Sequence, residues 1–268
     1  MSNPEQGIIT SIKNPQVQHL RDLLSRREAR REEHAFVVEG VRLAEEVLAS
    51  GIQPANVLWS SEISPRGKQC VERALALGCE GVELSPDLLN RISETETSQG
   101  IFFIVRHRPA SLPVQPDLVL ILDQVRDPGN AGTILRSAAA AGVKVVFVTP
   151  GTVDLFSPKV VRSAMGAHFK LMIEEAEWVN IQAYSKLTVN PALTIFLADS
   201  GGGSSMWQTD LRQPLALVIG GEADGAGREA QAGADALVHI PMPGNFESLN
   251  AGVAASVLLF EILRQRSV

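Results

Sequence analysis

Apolar and polar positions follow two regimes along this chain, and the change between them divides it. In the first hundred residues, Asn14 to Ser25 and Gly40 to Ser50 carry helical apolar spacing, with Val41, Ala44, Val47 and Leu48 on one face. Short apolar runs at Val57 to Trp59 and Ile101 to Val105 predict strands. Beyond residue 117 the pattern becomes regular. Leu118 to Leu122, Val145 to Val148, Leu193 to Ala198, Leu215 to Ile219 and Ala236 to Ile240 are short, near-continuous apolar runs. Strands buried on both faces read this way, which predicts a parallel sheet covered by helices. Helix-like segments lie between and after them, at Ala131 to Ala141, Ser157 to Ala167, Ala226 to Ala232 and Leu249 to Arg266. Arg106 to Asp117 (RHRPASLPVQPD) sets prolines 109, 113 and 116 in a polar stretch and reads as a linker. The organisation expected is therefore a small α/β domain over 1–108, a linker over 109–116 and a parallel-sheet α/β domain over 117–268. Ligands of open α/β sheets sit outside the carboxyl ends of the strands. The loops after Leu122, Ala198, Ile219 and Ile240 are where chemistry is expected.

Composition narrows the class. The chain has 268 residues, 45% hydrophobic and 20% charged, enough to bury a core without disulfides or metals. Its two cysteines, Cys70 and Cys79, have no zinc-type spacing, and a reducing, cytoplasmic setting is expected. The opening MSNPEQGIIT lacks the pattern of a secretory leader, and no apolar run reaches the roughly 18 residues of a spanning helix. None of His19, His34, His107, His168 and His239 has a partner at metal-ligand spacing, so no metal site is expected. There is no G-x-S-x-G elbow and no G-x-x-x-x-G-K-[ST] phosphate loop. Glu28, Glu32 and Glu33, and likewise Glu174, Glu175 and Glu177, read as solvated faces, and Ser200 to Ser205 as a flexible loop.

Three loops hold the candidate chemistry. After the first strand of the regular region, Asp127, Pro128 and Gly129 form a turn, with Asn130 a helix cap and Arg136 a little under two turns further on. By spacing alone this is either a cap followed by a surface arginine or a polar pair at the sheet edge. After the fourth strand, Gly220 and Gly221 leave backbone N–H groups open to a ligand, and Glu222 stands at the strand tip. Gly225, Gly227 and Ala230 also fit the G-x-G-x-x-A dinucleotide fingerprint, but the acidic residue about 20 positions on, Glu247, falls in a loop rather than at a strand end. After the fifth strand, Pro241, Pro243 and Gly244 fix an irregular loop. There Ser248 is a candidate cap and Asn250 a first-turn residue, while Met242, Phe246 and Leu249 crowd an otherwise polar segment.

Taken in order, NAGTILRSAAAAGV, LVIGGEADGAG and HIPMPGNFESLNAGVAASVLLFEILRQR resemble the three motifs of the SpoU/TrmH family of RNA ribose 2′-O-methyltransferases, within the SPOUT superfamily. The opening SIKNPQVQHLRDLLSRREARREEHAFVVEGVRLAEEVL is similar to that family's L30e-like substrate-binding domain. The resemblance implies S-adenosylmethionine as methyl donor, a deep trefoil knot at the C-terminus and a homodimer built through the C-terminal domain. It implies RNA as substrate, ribosomal RNA in preference to transfer RNA. Matched position by position, Asn130, Arg136, Glu222, Ser248 and Asn250 become catalytic, and Ala198, Gly220, Gly221, Ile240, Met242 and Leu249 hold the donor. Ala223 stands where the family usually has glycine. Two rival readings are an NAD-type enzyme, resting on the dinucleotide fingerprint alone, and a non-catalytic RNA-binding protein of the same fold.

The net charge of −6 argues against a nucleic-acid partner until it is resolved by position. Between Lys13 and Arg31, Lys13, Arg21, Arg26, Arg27, Arg30 and Arg31 face only Asp22 and Glu28. With Arg126 at the site, Lys13, Arg26, Arg27, Arg30 and Arg31 are the expected RNA contacts.

Overall fold

The computed structural model describes residues 7–95, 97–107, 111–187, 193–222, 225–244 and 247–267. Pro109, Ala223 and Phe246, each singled out by sequence, lie outside the described residues. The elements of the first stretch are α1 (Pro15–Ser25), α2 (Arg27–Glu33), β1 (Ala35–Glu39), α3 (Val41–Ala49), β2 (Asn56–Ser60), α4 (Pro65–Ala76), β3 (Glu80–Leu84), α5 (Pro86–Ile92) and β4 (Ile101–Arg106). There follow β5 (Leu118–Asp123), α6 (Pro128–Ala140), β6 (Val145–Val148), α7 (Pro158–Ala164), β7 (Met172–Glu175), α8 (Trp178–Leu187), β8 (Thr194–Ala198), β9 (Ser204–Ser205), β10 (Leu215–Gly220), α9 (Arg228–Gly233), β11 (Ala236–His239) and α10 (Ala251–Arg266).

One local device starts five of the helices. Asn14–Pro15, Ser64–Pro65, Ser85–Pro86, Asp127–Pro128 and Ser157–Pro158 place a small polar residue before a proline at the first helical position. Proline loses nothing there, because that N–H has no helical partner. The side chains of Asn14, Ser64, Ser85 and Asp127 accept from first-turn N–H groups. Asp127, not Asn130, therefore caps α6; Asn130 sits in its first turn and donates its backbone N–H to Asp127.

The chain divides into two compact units, Met1–Arg108 with Phe156–Phe169, and Pro109–Leu155 with Lys170–Val268. The first is a four-stranded mixed sheet in the order β1-β4-β2-β3. Alternate strand residues feed two cores. Phe36, Val38, Ile101 and Phe103 pack with α3 and α4, while Ala35, Val37, Phe102 and Ile104 pack with α1, α2 and α5. Burial on both faces makes β1 a continuous apolar run rather than an alternating one.

Segment 156–169, expected as part of the sheet domain, packs with the first unit instead. Val161 of α7, with Phe156 and Phe169, joins the core around Phe36. The Arg162 guanidinium lies 3.5 Å from the carboxylates of both Glu39 and Glu94. The other oxygen of the buried Glu39 accepts from the hydroxyls of Ser93 and Thr95 at 2.5 and 3.0 Å. A carboxylate buried beside a sheet needs such partners, and α7 supplies the cation.

The second unit is a seven-stranded sheet in the order β7-β6-β5-β10-β8-β11-β9, every pairing parallel. The predicted parallel sheet is present, with two edge strands the apolar pattern missed. Glu174 and Glu175 belong to the edge strand β7, where Glu175 is exposed and Glu174 partly so, and Ser204–Ser205 pairs with β11 at the other edge. Alternate residues of the central strands pack against α8 and α9 on one face, while α6 and α10 pack together on the other.

The basic N-terminal segment splits by burial. Lys13, Arg26, Arg27 and Arg31 are exposed, whereas Arg30 is 6% exposed and its Nη1 donates to the carbonyls of Leu23 and Leu24 at 2.6 and 3.0 Å. Arg30 closes the end of α1 and is not an available RNA contact, because its side chain is buried with Nη1 committed to α1's terminal carbonyls. Arg30→Ala should lower unfolding free energy by about 2 kcal/mol in urea titrations, as expected for a hydrogen-bonded charge lost from a buried site. Replacing Arg26, Arg27 and Arg31 together by glutamine should cost less than about 1 kcal/mol. Equal losses for the two variants would remove the structural role given to Arg30.

Candidate active site

The sheet topology gathers the site. Strands β5, β10, β8 and β11 are successive or near neighbours, so their carboxyl ends open along one edge. The N-terminus of α10 returns to the same edge. Between them lies a cavity of about 550 Å³, lined by Ala198, Asp199 and Ser200 after β8, by Ile219 to Glu222 with Gly225 and Ala226 after β10, and by Val238, Ile240, Met242 and Glu247 to Ala251 from β11 into α10. Ala254 and Leu258 complete it from α10.

Glycine is required in the β10 loop by close approach. A Cβ on Gly220 would stand 2.5 Å from the amide nitrogen of Ala226, and one on Gly221 would overlap the carbonyl oxygen of Gln124. The loop folds back on itself through a hydrogen bond from the Gly221 N–H to the Gly225 carbonyl at 3.0 Å, with Gly225 at φ +68°. Gly221 is thus crowded by the turn after β5 and Gly220 by its own loop, while a Cβ on Gly227, one of the two glycines of the dinucleotide-like spacing, would meet the Gln124 side chain. Glu247 lies in the loop before α10 and not on a strand.

Three side chains from three loops form one directed chain of hydrogen bonds. The side-chain oxygen of Asn250 accepts from the backbone N–H groups of Gly252 and Val253 at 2.9 and 3.2 Å, capping α10. Its amide nitrogen must then face away, and it donates to Asn130 Oδ1 at 2.9 Å. That leaves the Asn130 amide nitrogen to donate to Glu222 Oε1, also at 2.9 Å. The cap thus fixes both amide orientations, and the carboxylate is the terminal acceptor. The other Glu222 oxygen lies 3.5 Å from the backbone nitrogen of Arg126.

The expected residues fall into place unequally. Ala198, Gly220, Gly221, Ile240, Met242 and Leu249 all line the cavity, as do Glu222, Ser248 and Asn250. Asn130 meets Glu222 and Asn250 at its rim. The cap assignment is corrected: Asn250 caps α10, and Ser248 lies upstream of it, exposed. Arg136 is exposed on α6 and is not joined to the Asn130–Glu222–Asn250 chain. Six residues advance a helix by about 9 Å and turn it about 240°, so Arg136 leaves the face that Asn130 occupies. It stands next to the seam with α10, where Ser137 and Ser256 share a hydrogen bond of 2.7 Å. Asp199, Ser200, Ala251, Ala254 and Leu258 were missed as lining residues. The last three recur at positions 251, 254 and 258, a helical spacing that the sequence carries without naming a ligand. Among the described residues no group of three or more His, Cys, Asp or Glu is disposed to hold a metal ion, and no helix is long and apolar enough to cross a membrane.

Asn250→Ala should cost about 1 kcal/mol in thermal unfolding through loss of the α10 cap. Asn250→Asp keeps a capping oxygen and should stay within about 0.5 kcal/mol of wild type, yet it cannot donate to Asn130. The Asn130 side-chain amide resonances should therefore move in Asn250→Asp while stability holds. An Asn250→Ala protein as stable as wild type would refute the cap.

Comparison with known proteins gives the family. Residues 117–260 match the SpoU rRNA Methylase family, and residues 14–102 match the MRM3-like substrate binding domain. The chain is 31% identical over 254 residues to the 23S rRNA (guanosine(2553)-2′-O)-methyltransferase RlmP of Bacillus subtilis, covering 95% of this chain and 98% of the relative. It is 30% identical to the 23S rRNA (uridine(2479)-2′-O)-methyltransferase of Streptomyces viridochromogenes, covering 98% and 94%. The crystal structure of the SpoU methyltransferase AviRb from Streptomyces viridochromogenes with the cofactor AdoMet superposes with a TM-score of 0.87, at 28% identity over 95% of this chain and 99% of that one. An α/β domain with an all-parallel sheet, a glycine-lined cavity at its carboxyl edge and three motif side chains bonded in series are thus combined in a chain that belongs to the SpoU rRNA methylase family.

Proposed function

We propose that this protein transfers a methyl group from S-adenosylmethionine to a ribose 2′-hydroxyl of ribosomal RNA. The observation that carries the reading is the Asn250–Asn130–Glu222 chain at the rim of the cavity. The cavity fits the donor on three grounds. Its volume lies in the ordinary range for small-molecule sites. Ile219, Val238, Ile240, Leu249 and Leu258 give an apolar wall, while the glycine loop exposes backbone groups without side chains. Asp199, Glu222 and Glu247 surround it with carboxylates, which complement a cationic sulfonium. Gly220, Gly221, Ile240, Met242, Leu249 and Ala198 would hold the donor, which supplies an activated methyl when bound.

The protein's own task is to orient a weak nucleophile and stabilise the charge that develops on it. Glu222, fixed by Asn130, accepts from the incoming ribose, and Ser248 and Asn250 border its position. Arg136 is given electrostatic stabilisation of the developing alkoxide and of a neighbouring phosphate; a guanidinium that keeps its proton below about pH 12 is poorly suited to act as base. The NAD-type reading loses its support, since Glu247, where the fingerprint's acidic residue would fall, lies in a loop and not at a strand end, and Gly227 stands where a Cβ would meet the Gln124 side chain. The non-catalytic reading is opposed by the intact set of Asn130, Arg136, Glu222, Ser248 and Asn250.

Residues 1–108 are read as the RNA-binding domain, 109–116 as a linker and 117–268 as the methyltransferase domain, in line with the families that residues 14–102 and 117–260 match. Lys13, Arg26, Arg27 and Arg31 form the RNA patch there, and Arg126 contributes at the site. The triple glutamine variant of Arg26, Arg27 and Arg31 weakens RNA binding and flattens its salt dependence on this reading. A homodimer through α10 is supported by Val253, Phe260 and Leu263, exposed apolar residues within one sector of the helix, with Leu249 just upstream. A C-terminal trefoil knot belongs to the same reading. Its support is the path after β11, which turns back so that α10 packs on α6 and β10. The cytoplasm, where such a substrate is met and where the free Cys70 and Cys79 stay reduced, is the proposed location.

Mapping ribose methylation in total RNA with and without the gene should reveal one ribosomal ribose that loses its methyl group. Loss confined to transfer RNA would overturn the ribosomal assignment, and no loss anywhere would overturn the activity. Arg136→Ala should lower kcat by roughly 10²- to 10³-fold with donor affinity unchanged in calorimetry. In Arg136→Lys, a rate that simply follows titration of the new amine would make position 136 the base. Separately, Val253→Asp combined with Phe260→Asp should shift sedimentation from dimer to monomer; an unchanged sedimentation coefficient would exclude α10 as the interface.

A further inference from the structure

Asp123 is the last residue of β5, 2% exposed, and stands in register with Gly220 on β10. Its two carboxylate oxygens face opposite sides. Oδ1 accepts from the Thr149 hydroxyl at 2.7 Å and from the Trp178 indole N–H at 2.9 Å. Oδ2 accepts from the backbone N–H of Gly227 at 2.7 Å. Gly227 closes the loop that leaves β10, and no side chain of its own caps α9. The Gly221–Gly225 hydrogen bond and the bond from Asn130 to Glu222 fasten the loop nearer the strand, and Gly220, Gly221, Glu222, Gly225 and Ala226 all line the cavity.

We propose that Asp123 is a positioning residue for methyl transfer: Trp178 and Thr149 lock its carboxylate so that Oδ2 tethers Gly227 and holds the cavity-lining residues Gly220 to Glu222, Gly225 and Ala226 in their donor-binding arrangement. The proposal rests on the methyltransferase reading and adds a residue that touches neither donor nor ribose. The chemistry of the partners makes it specific. Indole and backbone N–H groups can only donate, and they lie on different oxygens. An asparagine at this position has one acceptor oxygen for the two sides. With that oxygen facing Thr149 and Trp178, its NH₂ opposes the Gly227 N–H and the tether is lost. Burying an unpaired donor is costly, so the loop rather than the core strand gives way.

The test compares variants at the two ends of Asp123 in the full-length protein, by calorimetry with S-adenosylmethionine and by hydrogen exchange over 220–227. Asp123→Asn should weaken donor binding at least tenfold and lose exchange protection in the loop. Trp178→Phe removes one of the two donors on the far oxygen and leaves the Thr149 hydroxyl to hold it; it should lower Tm yet bind the donor within twofold of wild type. A second pair keeps the carboxylate. Gly227 has φ −64°, which a proline ring accepts. Gly227→Pro deletes the N–H and Gly227→Ala keeps it, while both add a Cβ beside the Gln124 side chain. Gly227→Pro should bind the donor at least tenfold more weakly than Gly227→Ala, even if Asp123→Asn fails to fold. Equal affinities within that pair, or equal losses in Asp123→Asn and Trp178→Phe, would overturn the tether. Should wild type bind no donor while the loop still loses protection only in Asp123→Asn and Gly227→Pro, the tether stands and the methyltransferase reading falls.

Discussion

Strand β10 lies between β5 and β8, parallel to both, and this insertion sets what every loop at the carboxyl edge can do. It puts Gly220 opposite Asp123 and drives the loop after β10 against the turn after β5. Neither turn has room to yield: Gln124 already adopts a left-handed φ of +58°, and its carbonyl occupies the space where a Cβ on Gly221 would be. The glycines are the consequence of that crowding. Because they hold the loop close, Glu222 comes within hydrogen-bond distance of Asn130, a residue 92 positions earlier in the chain.

From there the polarity of the site follows from a helix terminus. The first N–H groups of α10 lack helical partners and carry partial positive charge. Asn250 meets two of them with its oxygen, so its nitrogen points to Asn130, and the nitrogen of Asn130 points to Glu222. A cap that would ordinarily serve only stability thereby orders two amides and a carboxylate. The acidic total of the chain reads differently in this light. Carboxylates cluster around a cavity suited to a cationic donor, while Lys13, Arg26, Arg27 and Arg31 keep exposed cations on the first unit.

Legibility varied with how local the cause was. The five strands of the second unit were readable because burial on both faces leaves an unbroken apolar run. The edge strands β7 and β9 were not, since an edge is half-solvated and β9 is two residues long. Segment 156–169 reads as one more helix of the alternation, because nothing in its own spacing records that Arg162 will meet Glu39 and Glu94. Arg30 likewise reads as one more cation of a basic run until burial against the end of α1 is known.

By itself the sequence determined the α/β class with its parallel sheet, the glycine loop and which polar residues stand at the sheet's carboxyl edge. Those follow from apolar period, turn chemistry and motif order, all local properties of the chain. Only the tertiary structure decided that Asn250 rather than Ser248 caps α10, that Arg136 leaves the face holding Asn130, and that Asp123 links β5 to the loop after β10. Each of these depends on which distant backbone or side-chain group supplies the hydrogen-bond partner, and such partnerships exist only once the strands have been ordered.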